Sequence, residues 1–195
     1  MTTPVADDDL LFSTPRLMLL RCWRPADLDG YSALNTDPEV MEHLGGRPLT
    51  RAESDAFARY GEQWHDREGL GLLPVLRRSD GEFLGMCGMH RHRWYPDQVE
   101  VGWRFARHAW GHGYVAEAAT RWLDHGFGPI GLDRVISITA PANTRSQAVM
   151  RRLGMRLWRE DRHDRPNGPV DVVVFSVDRW RAHPPPPSTR PAAGR

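Results

Sequence analysis

"QVEVGWRFARHAWGHGYVAEAATRWLDHGF" occupies residues 98–127, and its reading decides the fold. "QVEVGWRF" (98–105) reads as a strand. From about residue 113, Val115, Ala118, Ala119, Trp122 and Leu123 recur at three- and four-residue intervals, the spacing of a helix with one apolar face. That helix runs to about residue 126 and ends at "GFGPIG". Between strand and helix stand Gly111 and Gly113. The first turn of a helix leaves about four N–H groups without intrahelical acceptors, at the positive end of its dipole. Glycines there let a ligand approach the main chain, which makes a phosphate cradle needing no basic side chain.

Several readings of this turn stand open on its residues alone. "GHGYVA" matches the G-x-G-x-x-A dinucleotide fingerprint. That fingerprint wants an acidic residue about 20 positions on, at the end of the second strand. Asp133 has the spacing but precedes its strand. A Walker A loop is excluded, because the G-K-[ST] ending is absent. A glycine turn serving only close packing is the plain alternative.

Working outward, "RLMLLRCW" (16–23) reads as a strand and "RPADLDGYSALN" (24–35) as a helix with Pro25 in its first turn. Thr50 and Glu53 have capping-box spacing for a helix through residue 68. "GLLPVLRR" (71–78) and "FLGMCGMHRHRW" (83–94) form a hairpin around "SDGE". "RVISITA" (134–140) is β-branched and extended, and "TRSQAVMRRLG" (144–154) is a short helix closed by Gly154. "MRLWRED" and "VDVVVFSV" make a final hairpin. This order implies an α/β (α+β) domain with a mixed sheet and helices on its faces. We place a flexible N-terminus at 1–12, the domain at 13–182 and a disordered Pro-rich tail at 183–195.

Composition narrows the class. The net charge of +1 gives no general steering toward nucleic acid or an anionic membrane. All 26 basic residues are arginine, so the N-terminus is the only primary amine the chain carries. Two cysteines, Cys22 and Cys87, are too few and too far apart for a disulfide framework or a cysteine zinc site. No apolar run approaches the roughly 20 residues of a membrane span, and the acidic start resembles no secretory signal; the expected setting is cytoplasmic.

Three stretches in order, "TPRLMLL" (14–20), "EVGWRF…WGHGYVAEA" (100–118) and "PANTRSQAVMRRLGM" (141–155), resemble the GNAT superfamily of acetyl-CoA-dependent N-acetyltransferases. The likeness is greatest to the branch of ribosomal-protein N-terminal acetyltransferases. It implies a GNAT fold: a mixed, mostly antiparallel sheet of six to seven strands, flanked by about four helices and splayed between the cofactor strand and the next. It also implies acetyl-CoA as co-substrate, with no metal. Main-chain groups of Trp103, Arg104 and Phe105 would pair with the pantetheine arm as an added strand would. The loop Trp110, Gly111, His112, Gly113, Tyr114, Val115 and Ala116 would hold the pyrophosphate, and Asn143 would bond the pantetheine where the strands part. Val115 departs from the small residue the family has there, and its branched side chain is expected to crowd the pyrophosphate.

Acetyl transfer to an amine requires removal of a proton from a group titrating at about 8 (α-amino) to about 10.4 (lysine-like), plus a proton for the leaving thiolate. Glu100, in "E-x-G" on the cofactor strand, is the candidate base; a salt-bridging strand carboxylate is the alternative. Ser146, three residues after Asn143, is the candidate acid, with Tyr114 behind it, because the position where many relatives carry a tyrosine is Met150. His90 and His92 share a strand face and are expected to line the acceptor pocket or face solvent, with a metal pair disfavoured for want of a third ligand. Asp37, Glu39, Glu160 and Asp161 are expected to attract a cationic acceptor. The acceptor is a primary amine, on a peptide N-terminus or a small molecule; relatives often dimerise, so a homodimer is also among the expected partners. A CoA-binding sensor without transfer activity is the alternative of a different class, and a Rossmann oxidoreductase the third.

Overall fold

The computed structural model describes residues 5–44, 47–164 and 168–179. Its elements are β1 (Leu10–Ser13), β2 (Leu17–Leu20), α1 (Pro25–Thr36), α2 (Pro38–Met41), α3 (Arg51–Glu68), β3 (Gly71–Arg77), β4 (Phe83–His92), β5 (Tyr95–Phe105), α4 (Tyr114–Phe127), β6 (Arg134–Thr139), α5 (Thr144–Arg152), β7 (Arg156–His163) and β8 (Val170–Asp178). The strands form one sheet in the order β1-β2-β3-β4-β5-β6-β8-β7, antiparallel everywhere except between β5 and β6.

Two counts differ from the sequence expectation. Among the described residues the sheet has eight strands rather than six to seven, and five helices rather than about four. The extra strand is β1, whose residues 10–12 fall in the segment read as loose; it pairs β2 and buries Phe12 against Trp122 at 5.2 Å. Four residues are too short for alternation to register. The extra helix is α2, a single turn started by Pro38 and capped by Asp37, whose side chain accepts the Glu39 N–H at 2.9 Å. The tail at 183–195 lies outside the described residues.

Elsewhere local chemistry sets the elements. Thr50 and Glu53 close the capping box of α3, and Gly69 ends that helix at φ 68°. The apolar face of α4 buries Ala118, Ala119, Trp122, Leu123 and Phe127 in the main core, with Val99, Val101 and Phe105 of β5 in the same cluster. On the opposite face of β5, Arg104 reaches Tyr31 and Asn35 of α1. The central strand is thereby enclosed on both faces.

Candidate active site

The single parallel pair is where the sheet opens. β5 and β6 meet only at Val99–Val135 and Glu100–Ile136, whereas β5 runs on to Phe105. Beyond Glu100 the edge of β5 facing β6 is therefore unpaired. The Ala106 N–H donates to the Leu84 carbonyl at 2.9 Å; alternation along the ladder then turns the main-chain groups of Arg104 and Gly102 to β4 and those of Val101, Trp103 and Phe105 outward. The outward Phe105 carbonyl accepts the Trp110 indole N–H at 2.8 Å, which ties the start of the loop to the end of the strand. Of the three residues expected to pair with a ligand arm, Trp103 thus presents both main-chain groups, Phe105 its N–H, and Arg104 neither.

Arg104 instead contributes its side chain to the fold. Its guanidinium is buried, donates to the Asn35 amide oxygen and to the Tyr31 hydroxyl (3.3 Å), and lies 5.9 Å from the centre of the Phe57 ring. No signal in the sequence marks this contact, since its partners lie about 70 residues away in α1.

The glycine loop is a cluster of donors. Gly111 and Gly113 adopt φ 79° and 78°, the left-handed region closed to most side chains, and Gly113 is the N-cap of α4. A Cβ on Gly111 would meet nothing within 4 Å, so the main chain there is open on one side. Among the described residues, none of the N–H groups from Gly111 to Ala116 has a main-chain acceptor; the first bond of the helix is Glu117 N–H to the Gly113 carbonyl at 3.1 Å. Converging amides at the positive end of a 14-residue helix suit a diphosphate. The half-buried Val115 side chain packs against the main core. The His112 ring stacks on Tyr114 at 5.5 Å, and Arg16 lies over Tyr114 at 4.8 Å.

The loop is held from the first strands. Glu117, in the first turn of α4, accepts the Thr14 hydroxyl at 2.6 Å, the Arg16 N–H at 3.0 Å and the Arg16 guanidinium at 2.6 Å. The same guanidinium donates to the His112 carbonyl at 2.9 Å, inside the loop. Burial raises the Glu117 pKa, but the Thr14 hydroxyl, the Arg16 amide and the Arg16 charge outweigh it and hold the carboxyl below the usual range. "TPR" and "AEA" carried the family resemblance, yet nothing in the sequence joins them across 101 residues.

Across the opening, Asn143 caps α5 by accepting the Ser146 N–H at 3.0 Å, which leaves its amide NH2 group as a donor. Ser146 is half-buried in the first turn of α5. Arg145, its neighbour, stacks over the Trp110 ring at 4.7 Å, so the start of α5 touches the loop. Met150 is buried in the core and offers no proton.

Glu100 sits at the apex of the opening, 8% exposed. One carboxylate oxygen accepts the Ile138 N–H at 3.2 Å, just past the last pair of the parallel ladder. The other lies 3.5 Å from Nε2 of both His90 and His92. The histidines therefore line the apex, with Tyr95, Asp161 and His163 behind them: the Tyr95 hydroxyl donates to Asp161 at 2.7 Å and lies 3.1 Å from His163. Among the described residues no group of three His, Cys, Asp or Glu side chains is placed to hold a metal ion.

Asp37 and Glu39 do not wait for a cationic acceptor, since both pair with Arg107 (Asp37 at 3.3 Å). Neither cysteine is a ready nucleophile. Burial, with Asp9 beside it, pushes the Cys22 thiol up to about 11, and complete burial pushes Cys87 further.

A mixed sheet opened at its one parallel pair over a glycine loop is the architecture the described residues share with solved GNAT acetyltransferases. The crystal structure of a GNAT-family acetyltransferase from Bacillus anthracis superposes with a TM-score of 0.73 at 22% identity, over 86% of this chain and 97% of that one. RimL, a ribosomal L7/L12 α-N-protein acetyltransferase solved with coenzyme A, gives 0.72 at 14% identity, over 87% and 97%. The family model described as acetyltransferase (GNAT) domain matches residues 16–156, and the chain belongs to that family. YkkB, an uncharacterised protein of Bacillus subtilis, is 31% identical over 143 residues, covering 70% of this chain and 80% of that protein. The doubly wound parallel sheet of a Rossmann oxidoreductase is absent from the described residues.

Proposed function

We propose that the protein transfers the acetyl group of acetyl-CoA to a primary amine, on a peptide N-terminus or a small molecule, by direct attack in a ternary complex. The observation that carries this reading is the apex itself: a buried carboxylate where an unpaired strand edge parts from its neighbour, beside a loop of unengaged amides. The amides of Gly111 to Ala116 bind the diphosphate, the outward groups of Trp103 with the Phe105 N–H take the pantetheine amides, and the Asn143 amide donates across the gap. Glu100 accepts the amine's proton directly or through a water. The amine nitrogen bonds the acetyl carbon, the carbon–sulfur bond breaks, and Ser146 supplies the thiolate's proton, which solvent then restores. With both thiols held protonated, the chain's own groups favour direct attack over an acyl-cysteine. The two free cysteines among the described residues agree with a cytoplasmic setting.

Calorimetric titration with acetyl-CoA, CoA and NAD(P)H, followed by transfer assays on pooled peptides and small amines, tests the reading. Micromolar acetyl-CoA binding without NAD(P)H binding, with turnover on some amine, supports it. Absence of CoA binding overturns it, and tight binding without turnover on any acceptor leaves a CoA-binding module in its place.

A further inference from the structure

We infer that Glu100 and His90 share one proton, with the imidazole as the place where the amine's proton comes to rest and His92 as a fixed donor orienting the carboxylate; the catalytic part of this rests on Glu100 being the base. His90 and Glu100 are directly opposite in the β4–β5 ladder, so their side chains leave the same face. Glu100 Oε1 accepts the Ile138 N–H, and Oε2 is the oxygen turned to the imidazoles, 3.5 Å from Nε2 of both.

The two rings present opposite tautomers to that oxygen. His90 Nδ1 lies 3.1 Å from the Arg91 carbonyl, which can only accept, so Nδ1 carries the proton and the neutral ring turns the bare Nε2 toward Oε2. His92 Nδ1 receives the Trp94 N–H at 3.4 Å, so its neutral proton sits on Nε2, the nitrogen 3.5 Å from the same Oε2. The carboxylate oxygen therefore has a permanent donor on one side and a lone pair on the other. Two facing lone pairs repel; a single proton between them removes the repulsion. An imidazole is ordinarily more basic than a glutamate by about two pH units, so the proton settles on the ring.

During transfer Oε2 takes the proton from the attacking amine and passes it to His90 Nε2. The nitrogen–carbon bond forms, the carbon–sulfur bond breaks, and the thiolate is protonated separately from Ser146. The imidazolium keeps its Nδ1–H on the Arg91 carbonyl and discharges to solvent, to which the His90 side chain is 20% exposed against 11% for Glu100. The other titratable or charged groups facing the pair are His92 on β4, Tyr95 on β5, Asp161 and His163 on β7, and the Arg91–Glu68 ion pair beside His90 in the chain. A lone carboxylate would hold the proton poorly near neutrality; the pair supplies a base matched to that range. His90 thus acts through Glu100, as a positioning and relay residue.

Two readouts on the full chain test this. In long-range 1H–15N spectra of protein labelled at its histidines, neutral His90 is expected protonated on Nδ1 and His92 on Nε2. In acetyl transfer, His90→Gln is expected to lower kcat about 100-fold at neutral pH and move the acid limb of kcat/KM downward, with acetyl-CoA affinity unchanged within about twofold. His92→Gln should lower kcat less and leave the limb in place. Reversed tautomers, or an unchanged rate and limb in His90→Gln, would each overturn the inference. Absence of acetyl-CoA binding or turnover in the wild type overturns the proposed function instead, and the spectra still decide the proton-sharing pair by themselves.

Discussion

Glu100 shows how one residue serves the fold and, on our proposal, the chemistry at once. Its Oε1 satisfies the Ile138 N–H, which the parting of β5 from β6 would otherwise leave without a partner. Glu100→Gln keeps an acceptor there, so the variant is expected to fold normally and bind acetyl-CoA as before, while kcat falls by about 10²–10⁴. Glu100→Ala should in addition lose about 1–3 kcal/mol of stability, read by urea unfolding, because the amide loses its acceptor. "E-x-G" pointed to the residue in the sequence, but its two histidine partners became visible only with the β4–β5 register, since alternation alone places them on a face without saying what stands opposite. Ser146→Ala, which deletes only a hydroxyl, is expected to slow turnover without weakening acetyl-CoA binding; equal losses in kcat and affinity would instead mark Ser146 as a binding group.

The decisive element is the N-terminus of α4. Its amides came directly from the glycine spacing, whereas the clamp that fixes them did not. Glu117→Ala is expected to weaken acetyl-CoA about tenfold, because Arg16 then loses the carboxylate that aims it at the His112 carbonyl. The Glu117 carboxyl has a depressed pKa in the fold, so its stabilisation is complete above the ordinary glutamate range of about 4.3 and is lost as pH falls through the lower folded value. Acid unfolding curves of wild type and Glu117→Gln should therefore differ above the ordinary glutamate range and converge only below the depressed folded value. Gly111→Ala forces a side chain into φ 79° at about 1–2 kcal/mol and projects a methyl into the open side of the loop; loss of acetyl-CoA affinity should exceed the loss of stability.

Across the whole molecule, the helices lie so close to the sheet that small residues are required where they cross it. Gly61 of α3 rests on the Leu72 carbonyl of β3, and a Cβ there would collide with main chain rather than with a yielding side chain. Gly61→Ala is expected to cost about 1–3 kcal/mol, lowering Tm by several degrees in a scanning calorimeter with little change in acetyl-CoA affinity. Arg104 acts on the same scale: its guanidinium joins β5 to α1 through Asn35 and Tyr31, and the Asn35 amide donates to Ser54 of α3 at 2.6 Å. These contacts hold the central strand from the face opposite α4.

The sequence by itself determined the elements whose causes are local. The capping box of α3 and the apolar stripe and glycine loop of α4 depend on residues within a few positions of one another. Tertiary structure alone decided which main-chain groups of β5 face the opening, that Arg104 is buried in the helical layer, that Val115 turns to the core, that Asp37 and Glu39 are spent on Arg107, and that His90 and His92 meet Glu100. Each depends on pairing register or on a contact between distant segments. A one-residue change of register reverses the face of every side chain on a strand, and no local pattern carries that information.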